Sequence, residues 1–262
     1  MSATFAVRTA EPSTLTVFGR AAAGEWVRLR TVRTTWWCLL AAAVTILGIG
    51  GTMALDADDV LASGALPPAT AAGEFGVMLG QFALLVLALL AVTQESATGA
   101  IGPSLQWTPR RGVLLAARMA VPVVVATVAG VLLALIADVV AWLIEPGLPL
   151  GFAALASSLG GIAGVLLAGG VLAVGIGLLL RSTAGALATV FLVQLVLPFL
   201  LPAFGAQWMA DLGELLPGTA VVWSLLGEPE EMTAATATAL LIAWPAAASA
   251  AGGWSLLRRD AG

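Results

Sequence analysis

The chain has no lysine, no histidine and no tyrosine, and one cysteine, in 262 residues. These absences remove whole classes of chemistry. A phosphate-binding loop of the Gly-x-x-x-x-Gly-Lys-Ser/Thr kind needs its lysine on the nucleotide, so this chain is no ATPase of that kind. Without histidine there is neither a His-Glu-x-x-His metal site nor a Ser–His couple. Zinc is left without its usual ligands, and Cys38 alone cannot close an intrachain disulfide. Charge is scarce too. Only 10% of the residues are charged and 60% are hydrophobic, against roughly 25% charged in a soluble domain. So little polar surface cannot cover a water-soluble fold, and the expected class is an all-α polytopic membrane protein.

A helix needs about 20 apolar residues to cross some 30 Å of hydrocarbon. Six runs qualify, at residues 36–54, 75–93, 119–137, 152–180, 184–204 and 234–257. The fourth is over-long and is expected to tilt or kink. All eleven basic residues are arginines, and they fall on alternate sides of this topology. They occupy the N-terminal segment, the 94–118 loop (Arg110, Arg111, Arg118), the turn at Arg181 and the tail at Arg258 and Arg259. The other three loops hold acids and no arginine. The positive-inside rule therefore predicts cytoplasmic termini and a cytoplasmic 94–118 loop. The first run follows too long a polar leader to be a cleaved signal peptide, and it is expected to be retained.

Residues 1–17 show little periodicity and are expected to be mobile. In 18–35, Ala22, Trp26, Leu29 and Val32 recur at helical spacing, with Arg28 and Arg30 off the stripe and Glu25 and Arg33 intruding. This predicts an interfacial helix with tryptophans at headgroup level, or else a basic, aromatic flank that anchors the first span. Within the 205–233 loop, the apolar stretch 215–227 is too short to span, and is either re-entrant or packed on helix ends. Gly76 and Gly80, and Gly160 and Gly164, stand four apart, the spacing of close helix approach or a dimer face. Polar residues at membrane depth are few. Gln81 and Gln194 are expected to bond between helices, and Asp138 to sit solvated at the outer end of the third span. No residues form a catalytic constellation, so a non-catalytic chain is expected.

Three stretches carry a family likeness: GEWVRLRTVRTTWW (Gly24–Trp37), QESATGAIGPSLQWTPRRGVLLAAR (Gln94–Arg118) and GLLLRSTAGALAT (Gly177–Thr189). With six spans, the chain resembles a permease subunit of the type-2 ATP-binding-cassette (ABC) exporters, of the actinobacterial kind. The resemblance implies a bacterial plasma-membrane location and a path formed with a second permease subunit, identical or related. It also implies a separate ABC ATPase that binds the ATP and Mg, so no cofactor in this chain. Membrane lipids are the remaining partner, and no nucleic acid is expected. The family's coupling helix lies in the loop between spans two and three, which assigns that role here to Glu95, Thr98, Gly99, Pro103, Ser104, Leu105, Trp107, Pro109, Arg110 and Arg111. The entry helix beside it carries Glu25, Trp26, Arg28, Leu29, Arg30 and Arg33. Pro103 can open a short helix and Pro109 can close it, presenting Leu105 and Trp107. Glu95 is expected to pair with an arginine of the entry helix. The rival expectations are an ion-coupled secondary carrier and a non-transporting scaffold subunit.

Overall fold

The computed structural model describes residues 13–55, 67–98, 111–227, 229 and 232–259, without the side chains of 54, 94–98, 111, 114, 115 and 256–259. The described residues form helices and no strands. Helix α1 (Thr14–Thr31) starts where the Ser13 hydroxyl accepts the Thr16 N–H at 3.2 Å, the usual device for an unsatisfied first-turn donor. It thus begins four residues before the predicted stripe. It stops at Val32, whose extended backbone makes an elbow. Helix α2 (Arg33–Leu55) follows at once, so Arg33 belongs to the first span.

The remaining helices are α3 (Ala71–Thr98), α4 (Arg111–Ile144), α5 (Phe152–Leu180), α6 (Thr183–Phe191), α7 (Leu197–Ala203), α8 (Gln207–Glu214), α9 (Pro217–Leu226) and α10 (Ala234–Arg259). Among the described residues, six helical stretches are long and apolar enough to cross a bilayer: 33–53, 71–93, 116–144, 152–180, 183–203 and 234–255. The fifth joins α6 to α7 through a π turn at Leu192–Val196. Its cause is local. Pro198 has no N–H to give the Gln194 carbonyl one turn back, and the Leu197 N–H reaches Leu192 instead.

Helices α3 and α5 are central, with 67% of each span buried, whereas α10 is 11% buried. Helix α3 packs on α2, α4 and α5, and α5 packs on α4, α6 and α10. The apolar stretch in the 205–233 loop becomes α9, which packs against α3, α5, α10 and the π turn. Its Val221 and Leu225 join Leu84, Ile162, Val165 and Leu166 in the core. The helix therefore folds back between the spans rather than over their ends. Gly218 lies against the backbone of Gln194, nine residues inside the Ala203 end of that span, or about 13 Å at the helical rise.

The two glycine pairs sit differently. A Cβ on Gly76 would come within 2.7 Å of the Ile46 carbonyl oxygen, and one on Gly80 would collide with the Ile46 side chain. Gly160 and Gly164 meet nothing within 4 Å. Gly76→Ala should therefore cost about 1–3 kcal/mol by overpacking, while Gly160→Ala should be neutral or gain up to about 1 kcal/mol of helix propensity. Thermal unfolding of the two variants in detergent checks the contrast.

Candidate functional site

The polar loop following α3 joins it to α4, and α1 packs across the start of α4. Glu25 is the key to this junction. Although it intrudes on the tryptophan stripe, it is 6% exposed, while Trp26 beside it is 47% exposed. The buried line of α1 is Glu25 and Leu29, one turn apart. Leu29 packs with Cys38 of α2 and with Leu87 and Ala91 of α3. The carboxylate has two cationic neighbours. Arg118 of α4 donates from Nε to Oε1 at 3.2 Å, and Arg28 Nη2 lies 2.7 Å from Oε2. The same Nη2 of Arg28 donates to the Ala91 carbonyl of α3 at 2.5 Å.

One acid and two arginines thus tie α1 to the end of α3 and to the start of α4. These are the helices on either side of the polar loop. A charge-assisted pair in a partly buried setting fixes geometry more firmly than a solvated one. The elbow is held as well, since Trp36 Nε1 donates to the Arg30 carbonyl at 3.0 Å across the break at Val32. Arg30 and Arg33 are exposed on the surface.

Of the residues assigned to ATPase coupling, Gly99, Pro103, Ser104, Leu105, Trp107, Pro109 and Arg110 lie outside the described residues. Glu95 and Thr98 are in the last turns of α3, and Arg111 is the first residue of α4, all with side chains outside the description. The expected pairing of Glu95 with an entry-helix arginine lies outside the described side chains; within them, Arg28 and Arg118 pair with Glu25. Sequence reading missed this role because Arg118 is distant in sequence and no periodicity links it to Glu25. The available signal was that Glu25 is the lone acid between residues 13 and 55.

A second polar group requires a correction. Asp138 is not solvated at a helix end, because α4 continues to Ile144 and the residue has no exposed surface. Its Oδ1 accepts the Gly73 N–H at 2.7 Å. Gly73 is the third residue of α3, so Asp138 serves the exposed donors and positive dipole end of that helix from a neighbouring one. Only glycine permits this approach, since a Cβ at 73 would lie 2.6 Å from Oδ1. Asp138 Oδ2 is buried with no hydrogen-bond partner among the described residues. Glu74 is the next residue along α3. Gln81 donates to the Met78 carbonyl of its own helix at 3.0 Å, not to a neighbouring one. Gln194 is buried at the π turn, with its Oε1 unpartnered.

No group of three or more metal-ligating side chains occurs among the described residues. The chain matches no family model and no curated protein.

Proposed function

We propose that this chain is the transmembrane permease subunit of an ATP-driven ABC exporter, in a bacterial plasma membrane with both termini cytoplasmic. Two permease subunits form the path, and a separate ATPase binds and hydrolyses ATP. The observation that carries the reading is the Glu25–Arg28–Arg118 junction. It braces both helices that leave the polar loop, so a push on that loop reaches α3 and α4 together, and neither can yield alone. The sequence supplies the rest: every arginine on one side of the six expected spans, no lysine for a phosphate loop, and Leu105 and Trp107 between Pro103 and Pro109.

The test is isolation from native membranes. The chain should elute with an ATPase, and Leu105→Asp combined with Trp107→Ala should reduce the bound ATPase at least tenfold, with the variant's own elution and melting unchanged. Retention of the ATPase by the double variant would remove the loop from the coupling role.

One observation favours a second reading, an ion-coupled carrier. Asp138 is a fully buried carboxylate within a span, with one oxygen unpartnered, and intramembrane acids mark ion pathways in transporters. Every arginine falls in the segments on the opposite side of the predicted topology, so no basic residue of the outer loops can neutralise it. The bond to Gly73 gives Asp138 a structural role as well, and for that reason the carrier stands second.

A further inference from the structure

We infer that the angle between α1 and α4 is a binding site for one anionic phospholipid of the leaflet that α1 faces. The inference requires only that the six helices cross a bilayer, not that an ATPase drives the chain. A groove of about 600 Å³ runs between these helices, lined by Phe18, Ala22 and Trp26 of α1, Leu39 of α2, and Val124 and Val128 of α4 among others. Its size falls in the range of ligand sites, about 300–1,000 Å³. The side chains facing it are aliphatic or aromatic, which suits an acyl chain and offers a polar ligand nothing.

The polar requirement is met at the elbow end. Trp36 lies one turn before Leu39 on the same side of α2, and its indole is bonded to the Arg30 carbonyl. Arg30 follows Trp26 by one turn along α1. Arg33 opens α2, one turn before Trp36 and Trp37, which are 60% and 68% exposed. Tryptophan and arginine one turn beyond the groove-lining Trp26 and Leu39 match the boundary between headgroup and acyl chain.

Charge complementarity selects the headgroup. From residue 13 to residue 55 the only acid is Glu25, which is buried and occupied by Arg28 and Arg118. Arg20, Arg30 and Arg33 therefore stand on the surface with no exposed acid on their own helices to compete for them. A basic segment of this kind attracts a phosphate headgroup without a second headgroup charge more strongly than a zwitterionic one, by about 1 kcal/mol per arginine near the surface. A second protein copy meeting the same face about a two-fold axis would set arginine against arginine.

Native mass spectrometry of the purified chain, with phosphatidylglycerol and phosphatidylcholine offered in equal amounts, tests the site. One phosphatidylglycerol should be retained per protomer in clear preference to phosphatidylcholine. Arg30→Gln with Arg33→Gln should weaken it about fivefold per arginine, the factor that about 1 kcal/mol gives. Ala22→Trp should expel the lipid by filling the groove while leaving the arginines in place. Val124→Phe is the alternative filler should Ala22→Trp elute as aggregate. Glycerol 3-phosphate, which carries the phosphate without acyl chains, should neither bind nor raise the melting temperature. The inference fails on equal retention of the two lipids, on unchanged phosphatidylglycerol binding in the arginine or filled-groove variants, or on equal stabilisation by glycerol 3-phosphate. It also fails if the filled groove abolishes a dimer and leaves the bound lipid unchanged.

Discussion

Glu25→Ala is expected to lower the stability of the detergent-solubilised protein by about 3 kcal/mol, as breaking a buried ion pair from one side typically does. Exposed pairs contribute about 1 kcal/mol at most. The distinction here lies in burial, since the Glu25 side chain is 8% exposed and that of Arg118 16%. Removing the carboxylate leaves the Arg118 guanidinium in a partly buried place without this counter-charge. Arg28 is less affected, because it is 28% exposed and keeps the Ala91 carbonyl. Glu25→Gln should fall between wild type and alanine, since it retains the shape and one acceptor for the Arg118 Nε–H. A double-mutant cycle of Glu25→Ala with Arg118→Ala should show a coupling above about 1 kcal/mol, against the few tenths that separate non-additive from independent sites. Additive losses in thermal unfolding would show that the junction is two separate contacts and not one brace.

Gly218→Ala should be nearly as damaging, although it adds only one methyl group. The new Cβ would lie 2.6 Å from both the Gln194 carbonyl carbon and Pro198 Cγ, and closer still to the Gln194 oxygen. These are backbone and ring atoms, with no flexible end to swing aside. Overpacking of this kind costs about 1–3 kcal/mol, occasionally more, and the upper part of that range is expected because α9 must shift as a unit. Its displacement would also pull Val221 and Leu225 from the core they share with Leu84, Ile162 and Leu166. Gly227→Ala, at the opposite end of α9, serves as comparison. It meets no atom within 4 Å but holds φ +75°, so its cost should be the smaller one of a left-handed residue, about 1–2 kcal/mol. Equal melting temperatures for Gly218→Ala and wild type would mean that α9 does not seat on Gln194.

The helical spans were legible because hydrophobic length alone defines them. The run at 152–180 coincides with Phe152–Leu180, and the last begins at Ala234 as expected from the acids before it. Tertiary arrangement was less legible. The stripe in α1 included Leu29, which is buried, and Trp26, which is exposed as a headgroup-facing residue would be; Glu25, an intruder on that stripe, is buried because its carboxylate faces Arg118. Asp138 was placed at a helix end because the apolar run was taken to stop at residue 137, whereas α4 extends six residues past Asp138. Its bond to Gly73 comes from another helix, and no local pattern announces it. The depth of α9 depends on a glycine meeting a carbonyl that Pro198 has left without its usual donor. A proline such as Pro198 shows in any sequence as a missing backbone donor, but nothing local marks Gly218 as its counterpart.

Under the proposed function, the energy for this chain's work enters from another protein through the loop between α3 and α4. The most direct measurement is reconstitution of the chain, isolated with whatever ATPase accompanies it, into sealed liposomes with ATP supplied on the ATPase side. The expected result is movement of substrate that requires ATP, stops when the ATPase is omitted, and is lost with Leu105→Asp and Trp107→Ala. Movement by the chain alone, under an ion gradient and without ATP, would contradict it and would turn attention to Asp138.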